Sequence, residues 1–137
     1  MIKIATALSA LLLISGCTEN GNTSAPERAE TAETGQPEHQ RTDKWIGRWI
    51  GVEGLVVNIS NNESEGAGHY DLQMQYGLDA DQSGTFKGQA TAEGISFNRK
   101  GEPHVLRAGD GEATGLKWLA EKQDCLIVQS GEGYCRD

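Results

Sequence analysis

The chain has 137 residues, with 12 Lys and Arg against 20 Asp and Glu, for a formal net charge of −8. That balance excludes a nucleic-acid binder and a protein held on anionic lipid by charge, because both need clustered cations. The chain holds 18 glycines, a composition rich in turns.

At the N-terminus a single early cation, Lys3, precedes an apolar stretch from Ile4 to Ile14. Its length suits a signal peptide and falls short of the roughly 20 residues a spanning helix needs. The stretch ends in Ile14-Ser15-Gly16-Cys17, aliphatic, small, Gly, Cys. This run resembles the lipobox of bacterial lipoproteins. The resemblance implies a signal peptide over residues 1–16, cleavage after Gly16, and acylation of both the sulfur and the new amine of Cys17. Anchoring to the membrane would then be covalent, each buried methylene contributing about 0.8 kcal/mol. Thr18 after the acylated Cys, where that family's sorting rule reads Asp as retention, implies the outer membrane and its periplasmic face. Cleavage removes Lys3 and no acid, so the formal charge of the mature chain falls from −8 to −9.

Between Thr18 and Thr42 the apolar side chains other than proline are Ala25, Ala29 and Ala32. Such a segment buries too little to offset its ordering entropy, so residues 17–42 are expected to form a disordered tether. The folded unit is expected over 43–137, one domain. Apolar residues there recur in alternating bursts. After Trp45, Gly47 and Trp49 come Leu55–Ile59, Tyr70–Tyr76, Thr85–Ala90, Ile95–Arg99, His104–Arg107, Leu126–Gln129 and Gly133–Arg136. Glycine- and asparagine-rich turns separate them at short intervals. The pattern predicts an all-β fold of about eight short antiparallel strands, closed into a barrel or packed as a tight sandwich. One short helix is expected over Ala113–Lys122, where Leu116, Leu119 and Ala120 fall at helical spacing. Trp118 on that helix is read as a packing residue.

Gly47-Arg48-Trp49 resembles the Gly-x-Trp signature of the calycins, lipocalin-like eight-strand barrels. The resemblance implies that Trp49 closes one end of the barrel with Arg136, near the chain's end, packed over it, and it opens the reading of a small-ligand carrier. The run Asp79-Ala80-Asp81-Gln82-Ser83-Gly84-Thr85-Phe86 resembles the first part of a calcium loop. Position twelve is Ala90 in place of the bidentate carboxylate, so a structural turn is expected and no metal.

With Cys17 set aside, Cys125 and Cys135 are an even pair flanking a strand, a turn and a strand. If Ser130 sits at the centre of the turn, the two face each other within disulfide reach. A metal site is the competing reading, and two thiols without a neighbouring His do not complete a tetrahedral shell.

Ser130-Gly131-Glu132-Gly133-Tyr134 matches the Ser-Gly-x-x-Tyr loop of membrane-bound inhibitors of c-type lysozyme, themselves small β-barrel lipoproteins. The resemblance implies that Ser130 enters the partner's cleft and that Tyr134 holds the loop, so Ser130, Gly131 and Tyr134 are the candidate partner-binding residues. The family's second element, a Lys-Gly loop, follows the Ser loop, and here only a short tail remains. His39, His69 and His104 have no Cys or second His at ligand spacing, and there is neither a Gly-x-Ser-x-Gly elbow nor a phosphate loop. The sequence therefore reads as a non-enzymatic binding module of the envelope with a protein partner and no cofactor. An inhibitor of a cell-wall hydrolase and a calycin-like carrier are the alternatives.

Overall fold

A computed structural model of the chain describes residues 37–137, which fold as a closed antiparallel barrel in the order β1-β2-β3-β4-β5-β6-β7-β8. The strands are β1 Gly47–Ile50, β2 Val56–Asn61, β3 His69–Gln75, β4 Ser83–Ala90, β5 Ile95–Arg99, β6 Glu102–Gly109, β7 Asp124–Gln129 and β8 Glu132–Arg136. Closure comes from β1 meeting β8 at Ile50 and Cys135. The sandwich alternative is thereby set aside. Cys17, the signal peptide and most of the expected tether lie outside the described residues.

Period-two alternation builds the core. Trp49 faces Val57 and Val57 faces Met74; Ile59 faces Leu72 and Leu72 faces Phe86; Ile95 faces Leu106. These inward rows, joined by Tyr70, Phe97, Leu126, Val128 and Tyr134, fill the barrel with buried side chains. Burying each large one contributes about 1.5–3 kcal/mol. The interior is a packed core, as expected of a barrel with eight short strands.

Two of the hairpin turns explain the tight registers. Lys100 and Gly101 between β5 and β6 both have positive φ, 53° and 86°, as do Glu53 (54°) and Gly54 (88°) between β1 and β2. Paired positive φ is the two-residue geometry whose twist matches antiparallel strands. It brings Arg99 opposite Glu102.

The helix expected over Ala113–Lys122 is replaced by two 3-10 turns, Glu112–Thr114 and Lys117–Leu119. Gly115 between them is left-handed (φ 71°), donates its N–H to Glu112 O, and is followed by an extended Leu116. A helix cannot run through that pair. The consequence reverses one expectation: Leu119 packs inward while its neighbour Trp118 is 84% exposed.

Residues 38–42, read from the sequence as the end of the tether, form α1, Glu38–Thr42, followed by a 3-10 turn at Asp43–Trp45. Hydrogen bonds rather than apolar burial hold this segment. Thr42 Oγ1 lies 2.7 Å from Tyr70 OH, which donates to Asp43 Oδ1 at 2.6 Å. The Tyr70 phenol is pushed up to about 12 by burial and by the Asp43 carboxylate, so it stays a donor through the neutral range.

Cys125 and Cys135 are directly opposite in the β7–β8 register, Cα atoms 4.0 Å apart, and are disulfide-bonded. The turn between them is Ser130-Gly131, with Val128 as an extra residue in β7. The sulfurs face outward, where Leu119, Leu116 and Val52 pack around them. Closing so short a loop stabilises by about 2–3 kcal/mol. Cys125→Ser is expected to lower the melting temperature by roughly 4–8 °C for each kcal/mol lost, read by thermal denaturation. An unchanged transition would show that the bridge contributes nothing to the barrel.

Candidate functional site

Alternation from Ile95 through Phe97 carries Arg99 to an inward position at the end of β5, and alternation from Tyr134 does the same for Glu132 at the start of β8. The two strands are not neighbours in the barrel. Their side chains nevertheless meet across its mouth, Nη1 to Oε1 at 2.6 Å and Nη2 to Oε2 at 2.8 Å. Side-chain exposures are 8% and 7%, so both charges are withdrawn from water. Tyr134 OH donates to Glu132 Oε1 at 2.9 Å, and the Arg99 guanidinium lies 4.2 Å from the Tyr76 ring centroid. A bidentate guanidinium–carboxylate pair with a third donor and an aromatic face satisfies most of what burial removes. The Arg99 guanidinium is held more firmly protonated by its bond to Glu132. Burial, then the neighbouring carboxylate, pushes the Tyr134 phenol well above its ordinary range.

This bond fixes the rim. Arg99 immediately precedes the Lys100-Gly101 turn and Glu132 immediately follows the Ser130-Gly131 turn, so the ion pair ties the two turns together. Strand alternation puts both at the same end of the barrel, with the β1–β2 turn at Glu53 and the β3–β4 loop. Leu78 in that loop is 71% exposed, and Glu53, Asp79 and Glu102 are exposed acids around the rim. Among the described residues none of these three acids has an ion-pair partner.

Of the residues read as partner-binding, Ser130 and Gly131 are exposed at the hairpin tip. Gly131 N–H donates to Thr114 O at 2.8 Å, which steadies the tip from outside. Tyr134 is not at the surface: it is fully buried and faces the interior. It can hold the turn through Glu132 but cannot touch a partner.

The Asp79–Phe86 segment closes on itself. The Gln82 side chain accepts from Asp79 N–H at 3.2 Å, Ser83 Oγ donates to Ala80 O at 3.2 Å, and Lys100 Nζ donates to Asp81 Oδ2 at 3.1 Å. The Lys100 ammonium holds the Asp81 carboxyl below its usual range. Among the described residues no group of three or more His, Cys, Asp or Glu is placed to hold a metal ion.

At the opposite end the Arg136 guanidinium lies 4.0 Å from the Trp49 ring and donates to Lys44 O at 2.9 Å and to Asp124 Oδ2 at 2.8 Å. Trp49 is fully buried and its Nε1 donates to Trp45 O at 2.7 Å. The 3-10 turn at Asp43–Trp45 is thus stitched to both residues. The N-terminal segment joins the barrel at this end, away from the rim.

No protein-family model, no curated protein and no solved structure matches this chain. Its functional reading therefore rests on its own residues.

The mouth pair was missed from sequence, although the parity that puts Phe97 and Tyr134 inside also puts Arg99 and Glu132 there. Breaking it is expected to be costly. Arg99→Met should destabilise by about 3–5 kcal/mol, and Arg99→Met with Glu132→Leu should regain most of that. Chemical denaturation of the single and double variants checks this. Additive losses in the double variant would show that the two charges act independently.

Proposed function

We propose that the chain is a non-catalytic binding module of the bacterial cell envelope, anchored through acylated Cys17, that presents its barrel rim to a protein partner. The observation that carries this reading is the Arg99–Glu132 pair across the mouth. It occupies the place where a carrier barrel would admit a ligand, and it locks the Lys100-Gly101 and Ser130-Gly131 turns into one rigid edge. The packed interior weighs against the small-ligand carrier for the same reason. Exposed Glu53, Asp79 and Glu102 with exposed Leu78 suit a partner that is basic with an apolar contact at its centre. The rim lies opposite the end at which residues 38–45 join the barrel.

A second reading, an inhibitor of a lysozyme-type cell-wall hydrolase, draws support from one feature. The Lys-Gly element that is absent downstream of Ser130 has a counterpart in Lys100-Gly101, upstream in sequence and at the same end of the barrel. Fold proximity supplies what chain order withholds.

Mass spectrometry of the mature N-terminus is expected to show an acylated Cys17; an unmodified Cys17 would remove the anchor from this account. Envelope proteins retained by the immobilised full chain should be basic, and retention should collapse when Glu53, Asp79 and Glu102 are changed to Lys. Retention indifferent to that reversal contradicts the rim reading. Inhibition of c-type lysozyme relieved by Ser130→Ala or Lys100→Ala would favour the second reading over the first.

A further inference from the structure

The outer wall of β1–β4 carries a row of polar side chains that nothing above uses. Arg48 stands opposite Asn58, Asn58 opposite Gln73, and Gln73 opposite Thr85, one residue from each of four adjacent strands. All four are exposed. Among the described residues none of their side chains makes an ion pair or a hydrogen bond within the protein, although the neighbouring row spends Lys87 on Asp71 at 2.7 Å. With strands about 4.8 Å apart, the row runs ~14 Å along the wall. It lies along a groove of 590 Å³ that Val56, Gln75 and Ser83 also line, within the range of about 300–1,000 Å³ typical of small-molecule sites.

The groove's charge is unusual for this chain. Acids outnumber bases 20 to 12, yet no carboxylate lines the groove and its one charged group is the Arg48 guanidinium. An unpaired fork of N–H donors at one end suits a planar anionic group such as a carboxylate. The carboxamides of Asn58 and Gln73 and the hydroxyl of Thr85 each offer donors and acceptors, which suits a neutral stretch dense in hydroxyl or acetamido groups. An extended peptide reads a sheet by adding a strand at its edge. Here β2 and β3 are paired on both sides, so only side chains can recognise the ligand.

We propose that this groove binds a short saccharide bearing a carboxylate, with Arg48 on the carboxylate and the Asn58, Gln73 and Thr85 side chains along the rings. No aromatic residue lines the groove, so hydrogen bonds rather than stacking hold the sugar. The site lies on the wall and is distinct from the rim turns.

The full chain, labelled with nitrogen-15, is titrated with three probes while the side-chain amide signals of Asn58 and Gln73 are followed. The probes are trigalacturonic acid, the peptide-free disaccharide of N-acetylglucosamine and N-acetylmuramic acid with its carboxylate free, and neutral chitobiose. Saturable shifts are expected with at least one carboxylated probe, and the stronger of the two identifies a uronic or a muramic acid source. Chitobiose should bind at least tenfold more weakly. Arg48→Gln should reduce affinity for the acidic probe at least tenfold with the melting temperature unchanged, Arg48→Lys should recover part of it, and Asn58→Ala with Gln73→Ala should weaken both kinds of sugar. The proposal is overturned if neither acidic probe gives saturable shifts, if chitobiose binds equally well, or if Arg48→Gln leaves binding intact.

Discussion

Arg99 and Glu132 bring two opposite charges out of water at the one place where this barrel would otherwise be open. Each charge alone would cost several kcal/mol to bury, and their attraction offsets that only because the contact is bidentate and backed by Tyr134 and Tyr76. An apolar pair of similar volume could stabilise the fold as well. What the ion pair adds is geometry. A guanidinium–carboxylate fork has one good arrangement, so β5 and β8, which share no ladder, are held in fixed relation and their turns with them. The rim's rigidity and the mouth's closure are thus two results of one interaction.

The other end is closed by different means. Trp49 fills it, Arg136 covers Trp49, and Arg136 and Trp49 together take up the carbonyls of Lys44 and Trp45 from the 3-10 turn. Tyr70 reaches from inside the barrel to Thr42 and Asp43 and ties down α1. Outside, the disulfide holds the β7–β8 hairpin and gives Leu119 a surface to pack on, which in turn seats the 110–123 loop and Thr114 behind the Ser130-Gly131 tip. Both ends and the hairpin tip are therefore fixed, and among the described residues the freedom left to the barrel lies in its exposed side chains.

Alternation made the eight strands legible, since Tyr70, Leu72 and Met74, or Ile95 and Phe97, can face one interior only in extended chain. The Cys125–Cys135 pairing was legible because the two flank a short hairpin, but the register was not. The turn is Ser130-Gly131 rather than centred on Ser130, and the extra residue Val128 brings the two cysteines opposite each other. The mouth pair was not legible either. Parity shows that Arg99 and Glu132 point inward, but their partnership spans 33 residues and depends on which strands face each other across a closed barrel. α1 escaped because Thr42 is buried by hydrogen bonds to Tyr70, and a segment poor in apolar residues carries no sign of that. The apparent helix over 113–122 failed at Gly115, whose left-handed backbone outweighs the spacing of Leu116 and Leu119. The wall row of Arg48, Asn58, Gln73 and Thr85 emerges only when four strands are set in register.

The central claim is that the barrel's interior is closed, packed inside and bridged by an ion pair at its mouth. Titration of the full chain with a fluorescent long-chain fatty acid tests this most directly, because an open barrel of this architecture would take up an apolar chain along its axis. The account predicts no saturable rise in the fatty acid's fluorescence and no change in tryptophan emission. One-to-one uptake that perturbs tryptophan emission and is altered by Arg99→Met would contradict it.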